Sequence, residues 1–164
     1  MACPGLGVVI DAAVFVFWFK HDDDHIELMK TIKREGFYIV LCEELKQEYL
    51  ENLYERSAGK NYWLLKDKLD ELKEDIAIEY PTSIPETSLQ IHEDDQHVLN
   101  CALNTDYEVH LIITDNEEHF KPNNEEYRLP LLISTQKFFD PSELHTFCSE
   151  ARRIREEIPR NSAR

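Results

Sequence analysis

The sequence predicts a three-layer α/β/α fold, with helices on both faces of a central, mostly parallel sheet and a helix at the C-terminus. Apolar runs at 7–16, 37–42, 109–113 and 129–134 have the near-continuous hydrophobic character of strands covered on both faces. Stretches of helical periodicity alternate with them, which implies right-handed βαβ crossovers and a parallel sheet. Acidic residues close or flank these runs, and ligands of such sheets bind outside the carboxyl ends of the strands.

Taken in order, the run from Gly7 to Val16 predicts a central strand, followed by Phe17, Trp18 and Phe19 and then a polar loop from His21 to His25. Ile26, Leu28, Met29 and Ile32 recur at helical spacing through Arg34, and Gly36 is placed to stop that helix. A second strand is expected from Phe37 to Cys42, then helices at 43–54 and 61–76, the latter with Trp63, Leu64, Leu69 and Leu72 on its apolar side. A short extended piece at 77–80 precedes a loop around Pro81 and Pro85. Helix at 95–103, strand at 109–113, a polar loop at 116–128 and strand at 129–134 follow. Leu144, Phe147, Ala151 and Ile154 give a last helix over 141–158, ending before Pro159.

At 164 residues and 19.4 kDa the chain suits one domain, 1–164, with a core over about 7–139 and a C-terminal helix carrying a basic tail. The apolar run after Gly7 is interrupted by Asp11 and preceded by no basic segment, so neither a signal peptide nor a membrane span fits, and a cytoplasmic protein is expected. Cys3, Cys42, Cys101 and Cys148 stand far apart with no C-x-x-C pair, which predicts reduced packing residues. A net charge of −15 argues against nucleic-acid binding by broad phosphate neutralisation. Five of the eight arginines nevertheless fall in the last thirteen residues, giving an acidic body a basic end.

The candidate chemistry lies in the acids. Val8, Val9 and Ile10 lead into Asp11, and Leu111, Ile112 and Ile113 lead into Thr114, Asp115 and Asn116. In the helix that follows Glu93, Val98, Leu99, Ala102 and Leu103 form one stripe, and at ~100° per residue Asp95 lies within ~10° of its centre while Asp94 is ~110° away. Asp95 therefore points inward from the first turn. Carboxylates gathered at one sheet edge repel and raise one another's pKa, and a divalent metal is the usual compensation. The tract His21, Asp22, Asp23, Asp24 and His25 reads as a solvated loop, since consecutive residues cannot all face one ion. His92, His97, His110 and His119 show no H-x-x-x-H spacing, which speaks against zinc. Trp18 and its neighbouring phenylalanines suit core or dimer packing better than base stacking.

This pattern resembles the PIN-domain nucleases, in particular their toxin-like bacterial and archaeal branch, from about Gly7 to Phe139. G-V-V-I-D matches the family's first strand and its metal-binding acid, Asp11. C-E-E-L-K-Q-E-Y-L is similar to the second-strand end and following helix, placing an acid at Glu48, with Glu44 and Glu51 as alternatives. D-D-Q-H-V-L-N-C-A-L resembles the segment whose acid precedes an Ala by seven residues, Asp95 before Ala102. I-I-T-D-N-E-E-H-F resembles the strand and loop that carry Thr114, Asp115, Asn116 and Phe120. The chain departs from the family in having Ala12 and Ala13 after the first acid, where Thr and Asn or Ser are usual, and Asn116 where the last acid usually stands.

The resemblance implies hydrolysis of RNA phosphodiesters by water activated on Mg²⁺ or Mn²⁺, with Asp11 and Asp95 as ligands, Glu48 as ligand or water-orienting group, and Asp115 or Asn116 acting through water. Thr114, Arg152, Arg153 and Arg155 are the substrate-binding candidates, and single-stranded RNA the expected substrate. An antitoxin partner and a homodimer follow from the same resemblance. The alternative is a non-catalytic binding module of the same fold with a weakened site, contacting protein or RNA. Ala13 stands where a haloacid-dehalogenase phosphatase would need a second Asp, the paired acid of a response-regulator receiver is missing, and no phosphate-cradling Gly-rich loop or G-x-S-x-G elbow occurs.

Overall fold

Val8, Val9 and Ile10 are at most 1% exposed, because the strand they form has neighbours on both edges and helices over both faces. In this computed structural model, which describes residues 3–20, 22–57, 67, 70, 74, 76–84, 93–120 and 130–157, that strand is β1 (Gly7–Ile10). It is joined by β2 (Tyr38–Val40), β3 (Ile78–Glu79), β4 (Leu111–Ile113) and β5 (Leu131–Ile133). The order is β3-β2-β1-β4-β5 and every pairing is parallel, with Val8 opposite Ile39 on one side and Leu111 on the other. The order reverses direction at β1, so the carboxyl ends of β1 and β4 flank the switch point where such sheets bind ligands.

Around the sheet lie α1 (Ala12–Lys20), α2 (Asp22–Glu35), α3 (Glu43–Ser57), α4 (Glu93–Ala102), α5 (Thr135–Phe138) and α6 (Pro141–Glu157). The predicted first strand is therefore too long: it stops at Ile10, and Val14, Phe15 and Val16 are buried on a helix. Asp11 makes the break, since its carboxylate accepts the backbone N–H groups of Ala12 and Ala13 and its carbonyl accepts the N–H of Phe15. A run that is apolar on every side carries no phase with which to separate buried strand from buried helix. The acidic tract expected as a loop instead opens α2 from Asp22, where the helix dipole favours negative charge. The side chains of 18–26, and with them the stacking and packing expectations for Trp18, lie outside those described.

Gly36 ends α2 as expected, at φ 79° with its N–H on the carbonyl of Lys33. Residues 67, 70 and 74 are helical within the expected 61–76 helix, whose remainder lies mostly outside the described residues, as do 121–128 of the expected polar loop and the first residue, 129, of the expected last strand. Residues 117–120 of that loop are helical. Ser134, expected as the end of a strand, caps α5, its Oγ accepting the N–H of Lys137 at 3.3 Å. Leu144, Cys148 and Ala151 turn the buried stripe of α6 inward.

The expectation of four reduced cysteines holds for Cys42 and Cys101, which are free and buried, and fails for Cys3 and Cys148, which form a disulfide. The two lie 145 residues apart in sequence, and the bond fastens the segment before β1 to the middle of α6. Sequence distance gave no sign of it, because only the fold brings the two ends together. No described helix is long and apolar enough to cross a membrane.

The amino ends of β1 and β4 are locked together at Gly7. A Cβ there would stand 2.1 Å from the carbonyl oxygen of Glu108 and 2.7 Å from the Tyr38 ring. Gly7→Ala is expected to destabilise the protein by about 3 kcal/mol, the upper range for overpacking a backbone contact that has no room to yield, read as a shift of the urea midpoint. The Gly7 N–H donates to Nδ1 of buried His110 at 3.1 Å, which places the His110 proton on Nε2, 3.6 Å from Glu108.

Burial lowers the His110 pKa to about 4, Glu108 opposing and Arg155 and Arg152 assisting. Below its ordinary value near 6.5 the unfolded chain takes up this proton and the folded chain does not, so the stability held by neutral His110 is complete above that value. It is lost as pH falls toward 4, by about 3 kcal/mol in total. Urea unfolding between pH 7 and 4 should show this slope, and His110→Gln, which keeps an acceptor without the titration, should flatten it.

Candidate active site

Asp11 is the residue at which β1 becomes α1, and it is 3% exposed. Its N–H donates to the carbonyl of Ile113, tying it to the end of β4. One carboxylate oxygen, Oδ2, accepts the Thr114 hydroxyl at 2.8 Å, and Thr114, fully buried, is itself anchored to β5 through its N–H on the carbonyl of Ile133. The backbone N–H groups of Ala12 and Ala13 also serve the carboxylate, while at these two positions the chain lacks the side-chain donors of the Thr and Asn or Ser usual in the family. Burial nevertheless raises the Asp11 pKa, and the charge of Asp95 adds to that rise.

Asp95 enters from the first turn of α4, 6% exposed, as the wheel position predicts. Its Oδ2 lies 2.7 Å from Nδ1 of His119, which comes from the helical turn after β4. Glu48 comes from α3, its side chain 14% exposed and its Oε2 3.2 Å from Nδ1 of His97 on α4. Glu44 and Glu51, the alternatives for this position, are exposed. Below Glu48, Tyr49 stacks on Phe15 at 4.4 Å and donates its hydroxyl to the carbonyl of Ile10, which fixes α3 against the end of β1. The Cys42 N–H donates to Sγ of Cys101, and the Cys42 thiol to the carbonyl of His97, joining the start of α3 to α4. Thus the elements bearing Asp11, Glu48 and Asp95 are mutually fixed by buried bonds.

The remaining predicted residues are placed differently. Asp115 is exposed and accepts the N–H and hydroxyl of Thr135, stapling the β4 loop to the start of α5. Asn116 is exposed, its N–H donating to the Thr114 hydroxyl oxygen. Arg152 donates to the carbonyl of Pro4 and Arg155 to that of Val109, both ahead of strands, while Arg153 pairs with Glu150 and Glu157 along α6. Arg152 and Arg155 therefore sit at the amino ends of β1 and β4, opposite the acids, and the three arginines are not brought to the carboxyl edge. Sequence reasoning passed over His97 and His119 by asking only whether they paired with each other. Their partners are acids 49 and 24 positions away, visible only in the fold.

Among the described residues no group of three or more His, Cys, Asp or Glu side chains stands close enough to hold an ion alone. The pair Asp11 and Asp95 nonetheless fits a hard divalent cation: two nearly buried carboxylates, close enough for the charge of Asp95 to raise the pKa of Asp11, offer oxygen donors. Mg²⁺ characteristically takes one or two protein carboxylates and completes its shell with water and substrate phosphate. Fold and site together define an α/β/α protein with an acidic centre at the carboxyl edge of a parallel sheet. A family model of the PIN domain matches residues 7–118, more than half the chain, and the chain belongs to that family. PIN domains are generally metal-requiring nucleases that use Mg²⁺ or Mn²⁺. The match contains Asp11, Glu48, Asp95, Thr114, Asp115 and Asn116, and stops one residue before His119. No curated protein matches the chain.

Proposed function

We propose that this protein is a metal-dependent endoribonuclease whose centre is Asp11 and Asp95, with Glu48 at its rim. The observation that carries the reading is the pair of buried, mutually repelling carboxylates held by two elements at one sheet edge. Charge gathered there at a cost to stability makes sense where a cation offsets it. Mg²⁺ or Mn²⁺, when bound, would lower the pKa of the attacking water and neutralise charge on the phosphate. Thr114 and the N–H groups of Ala12 and Ala13 orient Asp11, and Glu48, the most accessible of the three acids, would accept a hydrogen bond from the incoming water. Asp115, engaged by Thr135, contributes through the loop it holds, with Asn116 beside it at the surface.

RNA approaching a body of net charge −15 meets repulsion except where cations or local basic groups relieve it, which favours short single-stranded segments at the acidic edge. Contacts by Arg152, Arg153 and Arg155 would fall remote from the scissile bond. The reading extends to a cytoplasmic toxin-like nuclease, a single domain restrained by a basic antitoxin partner or paired as a homodimer, the acidic surface suiting such a partner. One observation favours the non-catalytic binding module instead: Asp115 is committed to Thr135 and the following position is Asn116, leaving the family's last acid without a counterpart at the edge. Labelled single-stranded RNA incubated with Mn²⁺ or Mg²⁺ separates the two. Cutting that chelator abolishes supports the nuclease, whereas RNA retained in gel shifts and never cut supports the module.

A further inference from the structure

We propose that His119 is a positioning residue for the acidic centre, forming with Thr114 a two-donor clamp that sets how the Asp95 and Asp11 carboxylates face each other. The inference rests on the reading of that centre as a cation site. Both donors come from one short segment. The Thr114 hydroxyl holds Oδ2 of Asp11 at 2.8 Å, the N–H of Asn116 returns to the same hydroxyl at 3.0 Å, and the N–H of His119 bonds the carbonyl of Asn116 at 3.0 Å. Nδ1 of His119 then meets Oδ2 of Asp95 at 2.7 Å. An ionised carboxylate only accepts, so Nδ1 is the donor in this bond.

The segment is fixed at both ends, by the Thr114 N–H on β5 and by Phe120, which is fully buried in the core. A continuous chain of bonds therefore runs from one carboxylate to the other through 114–119. The dipole of α4 favours charge on Asp95 without fixing where its oxygens point. The imidazole supplies that direction and holds the carboxylate in place against the repulsion of Asp11. Partners of metal-binding carboxylates orient them, and losing one commonly weakens metal binding 10- to 100-fold.

The test is Mn²⁺ titration followed by electron paramagnetic resonance, without RNA, on the wild type and on His119→Ala, His119→Asn, His119→Gln and Asp95→Asn, each shown to be folded by its melting curve. The expected result is at least ~10-fold weaker Mn²⁺ binding in His119→Ala, with His119→Asn, whose amide N–H falls near the place of Nδ1, within about 3-fold of the wild type. Unchanged binding in His119→Ala would overturn the clamp. So would rescue by Gln and not Asn, because the longer amide mimics Nε2 and would mark His119 as a direct ligand. If Asp95→Asn loses binding while His119→Ala keeps it, the clamp alone falls. If Asp95→Asn binds as the wild type does, the cation reading falls and the clamp with it.

Discussion

Asp11→Asn is expected to lower metal-dependent RNA cleavage by at least ~10³-fold, corresponding to loss of about 4 kcal/mol of transition-state stabilisation, while leaving the metal-free protein as stable as the wild type or more so. The substitution keeps one oxygen for the N–H groups of Ala12 and Ala13, so the capping of α1 survives, and turns its amide N–H toward the Thr114 hydroxyl, which can accept as well as donate. What it removes is a charge that burial and Asp95 disfavour, both raising the Asp11 pKa from its ordinary value. Because that pKa is raised in the fold, ionising Asp11 costs stability, and the neutral amide avoids the cost. The two proteins should separate when Mn²⁺ is added. A site filled at 100 times its Kd stabilises the fold by about 2.7 kcal/mol, a gain expected in the wild type and missing in the variant. Melting curves with and without Mn²⁺, beside single-turnover cleavage, read both halves. An Asp11→Asn protein that melts far below the wild type without metal would show that the carboxylate is structural.

Breaking the Cys3–Cys148 bond should cost about 5 kcal/mol, the chain-entropy value for a closed loop of this length. The bond anchors the segment before β1, where Leu6 and Cys3 are buried, to the stripe of α6 formed by Leu144, Cys148 and Ala151. Cys148→Ser, or the wild type in dithiothreitol, should therefore unfold at a much lower urea concentration, and the Gly7–His110 contact at the same end of the sheet should lose hydrogen-exchange protection first. In a cytoplasmic setting reducing thiols act on this pair, so the protein there would be the less stable, reduced form. Equal urea midpoints in the presence and absence of reductant would contradict the assignment of stability to this bond.

The fold class and the central acids were legible because they depend on local pattern. Strand positions followed from apolar runs between turn residues, and Asp95 followed from its phase against Val98, Leu99 and Ala102, which the structure buries. The end of β1 was not legible, since every residue from Val8 to Val16 except Asp11 is apolar or small, and the helix start depends on a cap whose acceptor looked from sequence like a site residue alone. Asp11 is both. The disulfide, the Asp95–His119 and Glu48–His97 pairs and the placement of Arg152 and Arg155 at the far end of the sheet are tertiary facts. Each joins residues from separate elements, and no periodicity within one element encodes the partner. Asp115 shows the converse: its place after an apolar strand suggested a ligand, and the fold gives its carboxylate to Thr135.

If the carboxylates at the carboxyl edge of the sheet perform the chemistry, Asp95 is the residue to change, because it neither starts a helix nor ends a strand. The measurement is single-turnover cleavage of end-labelled single-stranded RNA by the wild type and by Asp95→Asn in Mn²⁺, with RNA binding followed in parallel. Chelator-sensitive cutting by the wild type is expected, with a rate at least ~10³-fold lower in the variant and the RNA still bound. Cutting by Asp95→Asn at the wild-type rate would contradict this expectation and place any nuclease activity elsewhere.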